Sequence, residues 1–342
     1  MRKGSLMGMV WVGVDVSKYA FYAALADEMA KPRDWACLPT CGFDLSVEGM
    51  KAFVQWLRKH GVLKRRIAGV CIEATGRYSE HFVLLAKNRL GVISTVNPAR
   101  PRAFAQSVGI RDKSDRVDAC MIALYGKLHE PRPTQERSAL QRQVRDLSRM
   151  RQTFENQYQA HAQRLAESSS PEVRASLKRI MAGLQRESQR LDRRMATLIA
   201  SDEQLSKDFN RAKSVKGIGP KTAIVIIAEY GDLRSYNRDE IVALAGLYPR
   251  DFTSGVSVHK KSKLAKAGKA PVRAALYMCA MSAIRVDGPM RDFARRLEAH
   301  NKQPMEIIGA VMRKLLVTVR AVVVTETDYD PNYNNRVQSQ MT

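Results

Sequence analysis

Two aspartates stand three residues apart in the segment Lys113–Ala119, directly after a polar stretch of the chain. In a helix, positions i and i+3 share a face, so Asp115 and Asp118 can both point at one small volume. Carboxylate oxygen is the ligand that Mg²⁺ prefers, so this pair suggests a site for a hard cation. The pattern also fits an acidic first turn that complements the helix dipole, with Ser114 as N-cap.

Two further acids end apolar, β-branched runs that are typical of buried strands, Asp15 in the first run and Glu73 in the second. A carboxylate in such a run is costly unless it binds a metal or finds a partner. Open α/β sheets build their sites at strand ends, so both acids stand where a site is expected. Together with Asp115 and Asp118 they make a set of four acids that is more specific than any single member.

The elements that must position these acids alternate along the first 130 residues. The first strand, Met9–Val16, is followed by candidate strands at Phe21–Ala26 and around Trp35–Leu38, which predict a meander. Helical spacing and a glycine stop then predict a helix over Val47–His60. The later predicted elements are a strand at Arg66–Ala74, a helix near Tyr78–Arg89, a strand at Val92–Val96, a helix near Ala99–Gln106 and a helix from Ser114 to about Lys127. This order predicts a mixed α/β sheet with helices on its faces.

The composition is strongly basic. In 342 residues, 57 lysines and arginines face 34 acids, which gives a net charge of +23 and a sequence pI near 10.1. This surplus is expected of a protein that neutralises phosphates, and no apolar run has the length needed to span a bilayer. The five cysteines are scattered without CxxC spacing, which favours reduced cytosolic thiols and argues against a zinc site.

The segment from about Glu136 to Asp208 predicts long helices. Apolar residues follow helical spacing up to a break at Ser168–Pro171, and leucines then repeat every seven residues at Leu177, Leu184, Leu191 and Leu198. We interpret this segment as a helical hairpin or coiled coil that spaces two domains. A helical pair that packs only within one monomer is the alternative.

The glycines of Ser214–Thr222 predict the turn of a helix-hairpin-helix element. Gly217 and Gly219 would let a backbone approach closely, and amides at a helix N-terminus together with Lys221 could take a phosphate. A tight connection between two helices is the alternative. Further along, six cations fall within fourteen positions, interleaved with small residues, which suits contact with a nucleic-acid backbone. They are Lys260, Lys261, Lys263, Lys266, Lys269 and Arg273.

Three motifs in the first half resemble the RuvC-like, RNase H-type domain of DEDD insertion-sequence transposases, the insertion sequence one-ten group. They are Gly13–Lys18, Ile72–Gly76 and Lys113–Ala119, with support from Val96–Pro98 and Ala103–Ser107. In that family four acids bind divalent metal, so the resemblance implies metal-binding and catalytic roles for Asp15, Glu73, Asp115 and Asp118. It implies Mg²⁺ or Mn²⁺ as the cofactor, and it leaves Asp112 outside the pattern.

The second half resembles the C-terminal domain of the same transposases. The matching segments are Gly217–Gly219, Ala245–Leu247, Ser254–Gly255, Lys266–Gly268 and Arg273–Tyr277. In the family, the serine of the Ser-Gly pair is the nucleophile on DNA, and the resemblance assigns this role to Ser254. Spacing alone does not separate Ser254 from Ser257, and without the family the pair would be interpreted as a turn.

The expected fold is α/β plus α, an RNase H/RuvC-like mixed sheet followed by a helical coiled-coil spacer and a mostly helical C-terminal domain. The predicted boundaries are 8–130, 136–208 and 209–325, with a tail at 326–342 that is disordered from Asp328. The resemblance implies an RNA-guided recombinase acting on double-stranded donor and target DNA with a structured bridge RNA. It also implies a homodimer that assembles into a tetramer in the bacterial cytoplasm, at the nucleoid and not at a membrane.

Two other functions fit parts of this pattern. A metal-dependent nuclease of the Holliday-junction-resolvase type would use water as the nucleophile, and Ser254 would then be structural. A non-catalytic nucleic-acid-binding module would keep the basic surface but hold no metal at its acids. The complete set of four acids argues against the second alternative.

Overall fold

A computed structural model describes residues 8–87, 89–112, 114–254, 258–265 and 267–332. The chain folds into two compact units, which divide after Glu136. The first unit contains one sheet and four α-helices among its described residues. Its strands are β1 (Val10–Val16), β2 (Ala20–Ala26), β3 (Thr40–Asp44), β4 (Ile67–Glu73) and β5 (Ile93–Val96), and its helices are α1 (Val47–Lys59), α2 (Arg77–Ala86), α3 (Ala99–Ser107) and α4 (Asp115–His129).

The five-stranded sheet is mixed, as the sequence predicts, and β1 lies at its centre. The strand order is β3-β2-β1-β4-β5, with the β1–β2 and β2–β3 pairs antiparallel and the β1–β4 and β4–β5 pairs parallel. Alternate valines of β1, beginning at Val10, are buried in a core cluster that includes Phe53 and Phe82. The parallel pairing of β1 with β4 brings the carboxyl ends of these two strands to one edge of the sheet.

The third strand lies later in the chain than the sequence predicts. Residues around Trp35–Leu38 do not form a strand, because Pro32–Cys37 is a 3₁₀-helix with a proline in its first turn. Proline lacks the N–H that a strand donates, and its fixed φ suits the start of a helix. The strand forms instead at Thr40–Asp44, where Thr40 pairs with Ala24 of β2 and Asp44 pairs with Ala20.

Helix α4 lies against the backbone of β1. A Cβ atom on Gly13 would stand 2.1 Å from the backbone nitrogen of Ala123 and 2.3 Å from the carbonyl oxygen of Ala119, so only glycine permits this contact. One helical turn later, a Cβ on Gly126 would stand 2.8 Å from the ring of Trp11. Because Trp11 precedes Gly13, helix and strand run in opposite directions. The start of α4 therefore lies toward the carboxyl end of β1.

The second unit is mainly helical and begins with a long helical hairpin. Its elements are α5 (Ala139–Glu167), α6 (Pro171–Ala200), α7 (Glu203–Ser214), α8 (Pro220–Tyr230), α9 (Arg238–Ala245), β6 (Pro249–Ser254), β7 (Val258–Leu264), α10 (Ala270–Arg285), α11 (Pro289–Ala299) and α12 (Pro304–Val324). The predicted break between the long helices is confirmed, since α5 ends at Glu167 and Ser170 caps α6 by accepting a hydrogen bond from the Val173 N–H.

The base of this hairpin belongs to the core of the second unit. Val144 of α5 and Met195 and Leu198 of α6 are buried in one cluster with residues of α7, α8, α10 and α12. The boundary predicted at residue 208 therefore falls inside a single compact unit. Among the described residues, no helix of either unit has the length and apolar character to cross a membrane.

The start of the predicted tail packs against the second unit. Glu326 forms ion pairs with Arg234 at 3.2 Å and with Arg211 at 3.4 Å. Tyr329 is half-buried, and its N–H donates a hydrogen bond of 2.9 Å to Ser214 Oγ. The prediction of disorder from Asp328 is therefore wrong for these first residues, because side chains of α7 hold them. The part of the tail at 333–342 lies outside the described residues.

We predict that Gly13→Ala destabilises the first unit by about 3 kcal/mol or more, because the added methyl group must push α4 away from β1. Denaturant unfolding followed by tryptophan fluorescence measures this directly, since Trp11, Trp35 and Trp56 all lie in the first unit. The control is Gly183→Ala in α6, where a Cβ would meet nothing within 4 Å. An unchanged unfolding midpoint for Gly13→Ala would contradict the proposed constraint.

Candidate active site

The four predicted acids gather at the carboxyl edge of the sheet. Val14 of β1 pairs with Ile72 of β4, so the next residues along the two strands, Asp15 and Glu73, lie side by side. Strand side chains alternate between faces, which puts Asp15 on the same face as Gly13, the face that α4 covers. Glu73 shares that face, because Cys71, two residues earlier, packs with residues of α4.

The other two acids occupy the first turn of α4. Ser114 caps this helix, since its Oγ accepts a hydrogen bond of 3.3 Å from the Val117 N–H. Asp115 is exposed, while Asp118 is half-buried and its N–H donates to the Ser114 carbonyl oxygen at 2.8 Å. The two interpretations of this segment are therefore compatible, because a capped acidic first turn also aims two carboxylates at the strand ends.

The electrostatics of Asp15 show that the other three acids act on this carboxyl group. Burial has the largest effect on the pKa of Asp15, followed by repulsion from Glu73, Asp118 and Asp115 in that order, and together they raise it from its ordinary value of 3.8 to about 7. A backbone hydrogen bond involving Val16 opposes these effects. Among the described residues, the charged groups that shift this pKa are all acids. Such a concentration of negative charge favours a bound cation.

The residues fit a divalent metal in their chemistry, although they do not form a closed cage. Within the described part of the chain, no three carboxylate, histidine or cysteine side chains are placed so that they could hold an ion. Oxygen-only ligands nonetheless suit Mg²⁺, which keeps several of its waters and uses few protein ligands. A hydroxyl is also available nearby, because Thr75 Oγ1 is buried without a hydrogen-bond partner, two residues after Glu73.

Thr75 is a candidate that the sequence reasoning passed over. It lies in the motif Ile72–Gly76, but nothing in its spacing separates it from an ordinary turn threonine. The signal is the burial of its hydroxyl oxygen, which only a folded structure reveals. Leaving a buried hydroxyl without a hydrogen-bond partner costs about 1–3 kcal/mol of stability. A ligand bound at this edge of the sheet that hydrogen-bonds to Thr75 Oγ1 would remove this cost.

The predicted helix-hairpin-helix segment is a turn between α7 and α8. Gly217 has a φ of 98°, a left-handed conformation that favours glycine, and Gly219 is the N-cap of α8. A Cβ on Gly217 would stand 3.0 Å from Ala283 Cβ of α10, so this turn packs closely on its neighbour. Lys221 is exposed in the first turn of α8. A contact of these residues with nucleic acid stays a prediction.

Lys269, which the sequence places in the basic segment, is engaged inside the fold. Its Nζ donates a hydrogen bond of 2.7 Å to the Glu229 carbonyl oxygen and lies 3.9 Å from the Glu229 carboxylate. Burial lowers the pKa of Lys269 to about 8, although Glu229 opposes this shift. The Arg149 guanidinium of α5 donates two hydrogen bonds to the same buried carboxylate, from Nε to Oε1 at 2.7 Å and from Nη2 to Oε2 at 3.0 Å. The predicted contact of Lys269 with nucleic acid is not favoured by this burial.

Arg273 likewise contacts the protein itself. Its guanidinium donates to the carbonyl oxygens of Ala245, at 2.8 Å, and Ala267, at 3.2 Å. These contacts tie the start of α10 to the end of α9. Arg273 therefore supports the fold, and its role in binding stays a prediction.

Ser254 is the last residue of β6, in a two-stranded β6–β7 hairpin where it pairs with Val258. The sequence reasoning expected only a serine loop in a mostly helical domain. The sequence signal for a strand is weak here, because Phe252 and Thr253 are the residues of β6 with a high strand propensity. Ser257 and Lys266 lie outside the described residues, as do the side chains of Ser254, Lys260, Lys261 and Lys263.

An edge of carboxylates on a mixed sheet and a strongly basic composition are typical of enzymes that act on nucleic acid. Residues 12–168 match the transposase domain of the DEDD type in the IS110 group, and residues 210–295 match the family described as "Transposase IS116/IS110/IS902 family". The chain belongs to this transposase family and is a DNA transposase or recombinase. The DEDD domain implies a general dependence on divalent metal, and the family implies DNA as the substrate.

Two similar proteins are pilin gene-inverting proteins, one from Moraxella bovis and one from Moraxella lacunata. Each is 28% identical to this chain over 326 residues, which is 95% of this chain and 98% of the relative. The similarity therefore extends through both units.

We predict that Asp15→Asn stabilises the metal-free protein at pH 8 but not at pH 4. The folded state resists ionisation of Asp15 until its raised pKa of about 7, whereas the unfolded chain ionises near the ordinary 3.8. The cost of this carboxylate is therefore absent below about pH 4, builds between these two values and stays constant above pH 7. The upper limit is about 4 kcal/mol, and screening by solvent reduces the expected gain to about 1–2 kcal/mol.

Denaturant unfolding at several pH values in EDTA measures this difference. The matched control is Asp34→Asn, since Asp34 is an exposed aspartate of the same unit. An equal effect of Asp15→Asn at pH 4 and pH 8 would rule out the electrostatic explanation.

Proposed function

We propose that this protein is an RNA-guided DNA recombinase of an insertion sequence, with a RuvC-like first unit. It cleaves and rejoins DNA strands through a covalent link to Ser254, with Mg²⁺ or Mn²⁺ as cofactor. The observation that carries this proposal is the gathering of Asp15, Glu73, Asp115 and Asp118 at one edge of the sheet, where their repulsion contributes to the raised pKa of Asp15.

The four acids have a binding and orienting role in this mechanism. Asp15 and Glu73 come from rigid strands, and Asp115 and Asp118 come from a capped helix that Gly13 holds against β1. A bound divalent cation supplies stabilisation of the negative charge that develops on the scissile phosphate and its leaving oxygen. Rigid elements of this kind keep a site precise during such a reaction.

Ser254 is the proposed nucleophile. A bond forms between Ser254 Oγ and the phosphorus, the bond from phosphorus to the leaving strand breaks, and the freed strand end takes the serine proton. The phosphoserine link conserves the energy of the broken bond, and the reverse step with another strand end rejoins the DNA. His259 follows Ser254 by five residues and pairs with Thr253 in the hairpin. In this proposal a divalent metal held by the four acids would supply the activation of the serine.

The anchoring of the β6–β7 hairpin supports this role. A Cβ on Gly246, before β6, would stand 2.1 Å from the Ala267 carbonyl oxygen, and one on Gly268 would stand 2.1 Å from the Leu244 carbonyl oxygen. The two ends of the hairpin are therefore held together by close backbone contacts. Arg273 bridges the same segments through its two hydrogen bonds. A nucleophile needs such a rigid base to reach a phosphate reproducibly.

The guide RNA, the oligomer and the reaction outcome are further parts of the proposal. The net charge of +23 exceeds what a few phosphate contacts require and suits two nucleic acids, DNA and a structured bridge RNA. On α6, the exposed Val173 and Ile180 stand seven residues apart, which suits pairing with a second copy in a homodimer that assembles into a tetramer. Gene inversion, the activity in the relatives' name, requires strand exchange.

A metal-dependent nuclease that uses water is the alternative function. It is favoured by the separation of the residues, because the four acids all lie in the first unit and Ser254 lies in the second. In that case the acids would cleave DNA without the serine. A recombinase instead requires acids and serine to meet, within one chain or between subunits.

The serine mechanism predicts a protein–DNA adduct that survives denaturation. The full chain, RNA that copurifies with it, DNA carrying the element's ends and Mg²⁺ are mixed, and products are separated on a denaturing gel. Wild type should give the adduct, while Ser254→Ala should give none. The matched control is Ser257→Ala, which should keep the adduct.

Three results of this experiment would contradict parts of the serine mechanism. Cleavage without an adduct in both wild type and Ser254→Ala indicates the water nuclease. Loss of the adduct in Ser257→Ala alone moves the nucleophile to that residue. A normal adduct from Asp15→Asn would contradict the role of the acids.

We also predict that two lysines of the basic set behave differently. Lys221→Met should weaken DNA binding and reduce the slope of log affinity against log salt by about 1, with unchanged stability. Lys269→Met should lower the free energy of unfolding by about 1–3 kcal/mol, because the buried Glu229 loses a partner. Salt-dependent binding and denaturant unfolding of both variants test this, and equal effects on DNA binding would contradict the assignment.

A further inference from the structure

A cleft of about 540 Å³ opens in the second unit, beside the predicted DNA-binding turn. It lies between the α7–α8 turn and the junction of α10 with α11. The lining includes Lys216, Ile218, Thr222, Met278, Ser282 and Tyr329. This volume is within the range of about 300–1,000 Å³ that small-molecule sites occupy. None of the proposed catalytic residues lines it.

The walls of this cleft suit a flat heteroaromatic ring. Tyr329 supplies an aromatic side chain, and its backbone is held in place because the Tyr329 N–H donates to Ser214 Oγ at 2.9 Å. Met278 is 68% exposed, although a large apolar side chain of this kind is usually covered. Thioether sulfur and aromatic rings both pack favourably on an aromatic ring. The walls therefore offer a stacking surface that the protein itself leaves open.

Polar groups also line the cleft. Thr222 is buried, and its Oγ1 accepts a hydrogen bond of 3.2 Å from Cys279 Sγ. A hydroxyl that accepts one bond still has its own proton to donate, which suits a ring nitrogen or carbonyl oxygen. Ser282 is exposed and lines the cleft from α10. A few placed polar groups in an apolar cleft are typical of specific ligand sites.

The cleft is lined by one cation, Lys216, and one acid, Asp287, and the Asp287 carboxylate is already paired with Arg291, so the remaining charge favours an anion next to the ring. The Lys216 ammonium is held beside another lining residue, because its Nζ donates to the Asp287 carbonyl oxygen at 2.6 Å. Helices α8 and α11 both begin at this cleft, after Gly219 and Gly288, and neither N-cap residue provides a side-chain hydrogen bond. Helix N-termini attract phosphate. A ring with an attached phosphate fits both halves of the cleft.

We propose that this cleft binds one unpaired DNA nucleotide, with the base against Tyr329 and Met278 and the phosphate near Lys216. The inference rests on the proposed function, because strand exchange requires that base pairs at the crossover open. An opened nucleotide exposes a ring that can stack on side chains, as enzymes acting on single bases require. The cleft would hold such a nucleotide out of the duplex while strands change partners.

The test uses the full chain and a short single-stranded DNA that carries one 2-aminopurine. Stacking in the cleft should quench 2-aminopurine fluorescence. Ser282→Phe, which fills the cleft from an exposed position, should weaken binding about tenfold, in line with the loss of one stacked base. Tyr329→Ala should abolish most of the quenching, while Tyr329→Phe should retain it. The matched control is Ala274→Phe, an exposed position of the same helix outside the cleft, which should bind as wild type.

Several results would overturn the proposal. Quenching that is equal in wild type and Tyr329→Ala would exclude stacking on Tyr329. Binding that is weakened equally by Ser282→Phe and Ala274→Phe would exclude the cleft. Binding of the fully paired duplex as tightly as the single strand would exclude an unpaired nucleotide as the ligand. Tighter binding of an RNA strand of the same sequence than of the DNA strand would show that the ligand of the cleft is RNA and overturn the proposal for DNA.

This binding assay needs no cleavage, so the two claims fail separately. Recombination activity without quenching would refute only nucleotide binding in the cleft. Quenching without any protein–DNA adduct would refute only the serine mechanism.

Discussion

The backbone of α4 touches the backbone of β1 at Gly13, and the arrangement of the candidate active site depends on this contact. A Cβ atom at this position would stand 2.1 Å from a backbone nitrogen of the helix, which is closer than non-bonded carbon and nitrogen atoms can approach. The contact sets the height of α4 above the sheet, and the opposite directions of helix and strand place its capped first turn over the ends of β1 and β4. Four carboxylates from distant parts of the sequence consequently meet at one edge.

This meeting is unfavourable for the fold by itself. Burial and three neighbouring acids raise the pKa of Asp15 to about 7, so the metal-free protein ionises this group only at a cost in stability. Buried Thr75 Oγ1, without a partner, adds a second unfavourable group in the same region. Functional sites often retain such costs, because the ligand that relieves them is the one the site must bind. Because a bound ion would offset the repulsion between the acids, the metal-free protein need not hold the four carboxylates in the positions that they would take around an ion.

Much of the first unit could be predicted from local patterns. β1 and β4 are mostly apolar and rich in β-branched residues, and the N-cap at Ser114 follows from the residue type, so these elements carry their own signals. The third strand was misplaced because the proline in the first turn of the 3₁₀-helix Pro32–Cys37 decided the local structure, although Trp35 and Leu38 are apolar. The common face of Asp15 and Glu73 depends on strand register, which emerges only when β1 and β4 pair.

The second unit was harder to predict because its decisive contacts are distant in sequence. Lys269 was assigned to the basic surface by its neighbours, yet its partner Glu229 lies forty residues earlier and draws it into the fold. The heptad of leucines and the break before Pro171 were predicted from periodicity and proline, since both signals are local. The β6–β7 hairpin was missed because a short strand pair in a helical region gives little periodicity.

Direct titration of the protein with Mn²⁺, followed by electron paramagnetic resonance of the free ion, tests the central claim that the four acids form one divalent-metal site. We expect wild type and Asp34→Asn to bind Mn²⁺ with the same affinity, and Mg²⁺ to compete for the site. We expect Asp15→Asn and Glu73→Gln each to weaken binding by about tenfold or more, the effect that loss of a supporting group has on metal sites. Equal Mn²⁺ affinity in wild type, Asp15→Asn and Glu73→Gln would contradict the claim.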